Sequence, residues 1–129
     1  MNTPISDELE NIAKIIVNSA YKIHKTLGPG LLERVYEVAM EHELKKSGLR
    51  VERQKLFPIV YDGIEFEDCL RLDLLVEDSV VIELKAVDQI NPVWQAQVLS
   101  HMTLLEKRLG FLINFNVPII KLGIKRFIK

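Results

Sequence analysis

Apolar residues recur at helical spacing from the start of the chain. Leu9, Ile12, Ile16, Ala20, Ile23 and Leu27 fall three or four positions apart and predict a helix over residues 6–27. Ser6 is placed to cap it, and Asp7 and Glu8 lie in the first turn, where the helix dipole favours acids. Gly28-Pro29-Gly30 must end this helix. A second helix is expected over about 31–47, carrying Leu31, Leu32, Val35, Val38, Ala39 and Leu44 and stopping near Gly48.

The period then changes. Residues 50–61 read as extended, with Pro58 marking an edge position, and Tyr61-Asp62-Gly63-Ile64 as a tight hairpin turn. Residues 70–76 and 80–87 are short apolar runs joined by Glu77-Asp78-Ser79, the pattern of two antiparallel strands. Asn91-Pro92 suits the start of a third helix running to about Arg108. Gly110 to Asn116 reads as a buried strand and Gly123 to Lys129 as a last, amphipathic one. The expected fold is α/β, one sheet flanked by helices, in a single domain over residues 1–129.

Composition narrows the choice. The 129 residues are 48% hydrophobic and 27% charged, a globular balance. No apolar run approaches the roughly 18–20 residues of a membrane span, and Met1 to Glu10 lack the basic and apolar segments of a signal peptide. Cys69 stands alone, which excludes an internal disulfide and a cysteine-based zinc site. A cytoplasmic location is expected. The net charge of −1 argues against a large electrostatic footprint. Its distribution is uneven: the bases Lys107, Arg108, Lys121, Lys125, Arg126 and Lys129 close the chain with no acid among them. Such a strip is either a solvated face or a surface that meets a polyanion.

Three charged residues interrupt the apolar strands: Asp73, Glu83 and Lys85. Glu83 and Lys85, two apart, share a strand face. If Glu77-Asp78-Ser79 is a three-residue loop, Asp73 sits opposite Glu83 with β-carbons roughly 5 Å apart. Carboxylates so placed repel unless a cation lies between them, and oxygen ligands of this kind suit Mg²⁺. The alternative is an ordinary salt bridge of Lys85 with either acid. A two- or four-residue loop would put the acids on opposite faces.

Asp73 followed by Glu83-Leu84-Lys85 resembles the PD-(D/E)xK nuclease motif. Gly30-Leu31-Leu32-Glu33-Arg34-Val35-Tyr36 resembles the G-x-x-E-x-x-Y signature of the small prokaryotic GxxExxY proteins. Further segments agree in order along nearly the whole chain: Leu27-Gly28, Val81 to Val87, Ala96-Gln97, Gly110 to Phe115 and Gly123-Ile124-Lys125-Arg126. The resemblance implies a restriction-endonuclease-like core and a nuclease dependent on Mg²⁺ or Mn²⁺. Asp73 and Glu83 would be metal ligands, with the Leu84 carbonyl a third and Glu33 an extra helical acid. Lys85 would be the catalytic lysine, and Gln97 would correspond to the glutamine of a Q-x-x-x-Y motif. Two positions depart from the pattern. Leu72 stands where proline precedes the aspartate, and His101 stands where tyrosine is usual.

Plainer readings compete. Glu33 is placed as a capping-box acid, Tyr36 as its hydrogen-bond partner or a core residue, His24 as a structural histidine and Trp94 as a packing or interface residue. Two functions are therefore expected in contest. One is hydrolysis of phosphodiester bonds in nucleic acid, DNA rather than RNA. The other is a binding or assembly module that keeps the nuclease fold without turnover. A chain this short is expected to act as a homodimer or with a protein partner.

Overall fold

The computed structural model describes residues 4–129, so the first three residues of the acidic N-terminal stretch lie outside it. Two helices lead, α1 (Asp7–Leu27) and α2 (Glu33–Lys46). A long hairpin follows, β1 (Val51–Tyr61) and β2 (Ile64–Val76), then β3 (Val80–Lys85), α3 (Pro92–Leu104), β4 (Leu109–Asn114), a 3₁₀ turn and β5 (Ile124–Ile128). The five strands form one mixed sheet in sequence order. Only β3 and β4 run parallel, because only they are joined through an α-helical crossover.

Helices cover both faces of the sheet. Ile12, Ile16, Ala20 and Ile23 of α1, with Tyr36, Met40 and Leu44 of α2, pack on Leu74, Val76, Ile82, Leu84, Phe111 and Ile113. On the other face Val98 and Met102 of α3 pack on Leu70, Leu72, Leu75, Val81 and Leu112. Gly110 lets α3 approach closely, since a β-carbon there would lie 2.7 Å from the Met102 sulfur.

The turns follow the local chemistry. Ser6 caps α1 by accepting from the Leu9 N–H, and Asn91 caps α3 by accepting from the Val93 N–H. Asp62 and Gly63 both take positive φ in the two-residue turn between β1 and β2, and Pro58 sits at a register shift on the edge strand β1.

Several boundaries differ from the sequence reading. β2 begins at Ile64 instead of 70, because it pairs with β1 back to the hairpin turn. The third helix ends at Leu104, not near Arg108. Glu106 adopts φ 55°, and the Glu106 and Lys107 N–H groups return to the Thr103 and Met102 carbonyls, a Schellman ending without glycine. β3 stops at Lys85 instead of 87, because Val87 is held by the buried Asn114 side chain, which donates to its carbonyl and accepts from its N–H. The second helix begins at Glu33, and its buried face is Tyr36, Glu37, Met40 and Leu44. Leu31, Leu32, Val35 and Val38 remain exposed. Leu31 stays outside the helix because its N–H is taken by the Tyr36 hydroxyl, which itself donates to the Gly28 carbonyl at 2.6 Å. The Tyr36 ring stacks on Phe115 at 4.5 Å. Tyr36 thus ties the interhelical turn to the sheet and does not serve Glu33. Tyr36→Phe removes both hydrogen bonds and should lower stability by about 1–2 kcal/mol in urea melts, with the far-UV spectrum unchanged.

Candidate active site

β2 and β3 are joined through Glu77-Asp78-Ser79, and Leu74 pairs with Ile82, Leu75 with Val81 and Val76 with Val80. One step further this register would oppose Asp73 and Glu83, but the backbone ladder stops. The Asp73 carboxylate takes the place of a β2 carbonyl and accepts from the Leu84 N–H at 2.8 Å. In an extended strand a residue's N–H and C=O point the same way, so the Leu84 carbonyl also faces the parting strands. The alternation of β2 breaks at this point. Leu74 belongs to the core under α1 and α2, whereas Leu72 belongs to the core under α3. Across from Asp73 in the β1 register lies Gln54, with φ 55°.

Asp73 and Glu83 are both buried, and one Glu83 oxygen, Oε1, has no hydrogen-bond partner among the described residues. Burial and the neighbouring Asp73 carboxylate raise the Glu83 pKa to about 8. Lys85 opposes this and does not cancel it. Its ammonium sits over the Trp94 ring, 4.5 Å from the centroid, which holds a cation at the edge of the site. Glu33, the first residue of α2, is half-buried. Burial, then Asp73, raise its pKa, while Lys85 lowers it. Its α2 neighbour Glu37 is buried and accepts a hydrogen bond from the Gln54 side chain.

The structure therefore draws Asp73, Glu83, the Leu84 backbone and Lys85 together, with Glu33 within electrostatic reach. It does not draw in Gln97, which is exposed on α3. Among the described residues no three His, Cys, Asp or Glu side chains are gathered closely enough to form a ready-made cage for a metal ion. The donor set still fits a hard divalent cation: two neighbouring buried carboxyl groups, a buried oxygen without a partner among the described residues, and a backbone carbonyl facing the gap.

Three neighbours were not singled out for this chemistry in the sequence. Trp94 lies under Lys85. His101, two helical turns further along α3, places Nδ1 3.8 Å from Glu83 Oε1. Arg71 approaches Asp73 at 3.9 Å. The signal for the first two was the seven-residue spacing of Trp94 and His101, which sets both on one helix face. The signal for Arg71 was its position two residues before Asp73. His24 is structural, its Nε2 lying 2.8 Å from the Val117 carbonyl oxygen. The C-terminal bases are partly neutralised, Lys107 by Asp78 and Arg126 by Glu10.

No curated protein matches the sequence significantly. The crystal structure of SSO0001 has a similar fold, with a TM-score of 0.55 at 19% identity; the likeness covers 95% of this chain and 58% of that one. The chain thus spans little more than half the length of that neighbour. Among the described residues no helix is long and apolar enough to cross a membrane. Residues 10–127, which contain the helices, the mixed sheet and the Asp73–Lys85 hairpin, match the PD-(D/E)XK nuclease superfamily, and the chain belongs to that superfamily with a restriction-endonuclease-like α/β fold.

Proposed function

We propose that the protein is a nuclease dependent on Mg²⁺ or Mn²⁺ that hydrolyses phosphodiester bonds, in DNA rather than RNA. The observation that carries this reading is the meeting of Asp73 and Glu83, buried and mutually repelling, where β2 and β3 part, with Lys85 beside them. Asp73, Glu83 and the Leu84 carbonyl would hold the cation, and Glu33 would add charge from α2. When bound, such an ion supplies Lewis acidity and lowers the pKa of water. The protein's own residues do the rest. The Asp73–Leu84 hydrogen bond fixes one carboxylate against the neighbouring strand. Trp94 keeps the Lys85 ammonium at the site, where it balances charge developing on a phosphoryl oxygen. Arg71, next to Asp73, would meet the nucleic-acid backbone.

Labelled single- and double-stranded DNA and RNA, incubated with the protein and either Mg²⁺, Mn²⁺ or a chelator, test this. Cleavage of DNA that needs the cation and disappears in Asp73→Asn is expected. No cleavage of any substrate, with the fold intact, would leave the binding-module reading.

The exposed apolar residues Leu31 and Leu32, just before α2, and Val35 and Val38 on it support a homodimer, since an apolar surface of this kind can meet its own copy across a twofold axis. Sedimentation should show a dimer for the unmodified chain and a monomer for the double variant Val35→Glu, Val38→Glu. A monomer for both would remove the proposal.

A further inference from the structure

Glu83 Oε1 and His101 Nδ1 face each other as the two buried side-chain atoms without a hydrogen-bond partner among the described residues. Their 3.8 Å separation is too long for a hydrogen bond, whose N···O distance is about 2.7–3.2 Å. It is short for a bridging water, which would set them roughly 4.5 Å apart through two bonds of normal length. Donor atoms that share one cation, each about 2.1 Å from it, stand roughly 3–4 Å apart. The gap is within that range at its wide end, so an ion would draw the two atoms closer, in keeping with the absence of a ready-made cage among the described residues.

The ring is also fixed in place. Val98 and Met102, fully buried on either side of His101 along α3, clamp the helix to the sheet. We propose that His101 Nδ1 is a ligand to the same cation as Asp73 and Glu83, and that this nitrogen tilts the site from Mg²⁺ toward a transition-metal dication such as Mn²⁺. Mg²⁺ is served by oxygen ligands, whereas a nitrogen ligand gains affinity along the first-row transition series, of which Mn²⁺ is the weakest member and the one closest to Mg²⁺ in its octahedral oxygen chemistry. The inference rests on the reading of Asp73 and Glu83 as cation ligands and adds a third side chain, from α3, to them.

Pulsed electron paramagnetic resonance of Mn²⁺ bound to the full chain reads the ligand directly. The unmodified protein should show coupling of Mn²⁺ to a directly bound ¹⁴N. His101→Gln should lose that coupling. Its Mn²⁺ affinity should fall about tenfold or more, since even indirect partners of a metal are worth that much, while Mg²⁺ affinity changes about threefold at most. Mn²⁺ bound to the unmodified chain without ¹⁴N coupling, yet still lost in Asp73→Asn, would overturn the role of His101 and leave the carboxylate site standing. Coupling that persists in His101→Gln would also overturn it, by assigning the nitrogen elsewhere. Mn²⁺ affinity indifferent to Asp73→Asn and Glu83→Gln would instead remove the carboxylate site itself.

Discussion

Between about pH 5 and pH 8 the metal-free protein is expected to lose on the order of 3–5 kcal/mol of folding stability from the Glu83 carboxyl alone. The cause is burial, then the nearby Asp73 charge, which together lift the folded-state pKa of Glu83 to about 8. In the unfolded chain the same group ionises near the ordinary glutamate value. Across the interval between the two, the native state holds more protons than the unfolded state, so stability falls as pH rises. Glu33, also raised by burial and Asp73, adds a loss of the same sign. His101 works the other way. Its pKa is lowered by burial, so its contribution increases as pH rises toward the ordinary histidine value and has levelled off above it. The net loss should therefore be clearest from about pH 6.5 to 8. Urea melts in chelator at stepped pH measure it. Glu83→Gln, which cannot ionise, should flatten the profile and be the more stable protein at pH 8. A flat profile for the unmodified chain, or a Glu83→Gln variant less stable at pH 8, would mean that Lys85 pairs with Glu83 as an ordinary salt bridge.

Lys85→Ala should lower the rate of cation-dependent cleavage by about 10²–10³-fold, the usual effect of removing one preorganised group that stabilises transition-state charge. The loss should fall on kcat more than on KM, because the charge Lys85 meets develops only during the reaction. Trp94→Leu should produce a smaller loss, about tenfold, in keeping with a desolvated cation–π contact of about 1–2 kcal/mol that positions the ammonium. Steady-state kinetics of the two variants and their double combination check this. If Trp94 acts through Lys85, the double variant should be no slower than Lys85→Ala.

The elements that were legible in the sequence are those in which one local rule decides. Ser6 and Asn91 announce their helices, Asp62-Gly63 its turn, and the three-residue link 77–79 sets the β2–β3 register that leads Asp73 toward Glu83. What stayed hidden depends on contacts between distant residues. Glu106 ends α3 in a conformation normally signalled by glycine. Asn114 replaces a strand partner for Val87 with its side chain. Leu31, Val35 and Val38 look like a core face by spacing, but Tyr36, anchored on Phe115 and Gly28, turns α2 so that Met40 and Leu44 face inward. At the site, Glu83 and Lys85 follow from strand alternation in β3 and Asp73 from the length of the 77–79 link, although the alternation of β2 breaks beside it. The parts played by Trp94 and His101 require knowing which face of the sheet α3 covers, and no local pattern states that.

Calorimetric titration of Mg²⁺ and Mn²⁺ into the unmodified protein, Asp73→Asn and Glu83→Gln at neutral pH tests most directly whether these two carboxylates form a cation site. One divalent ion should bind per chain and release protons, because Glu83 is largely protonated there before the ion arrives. Both variants should lose that binding. Equal binding in all three proteins, or none in the unmodified chain, would contradict it.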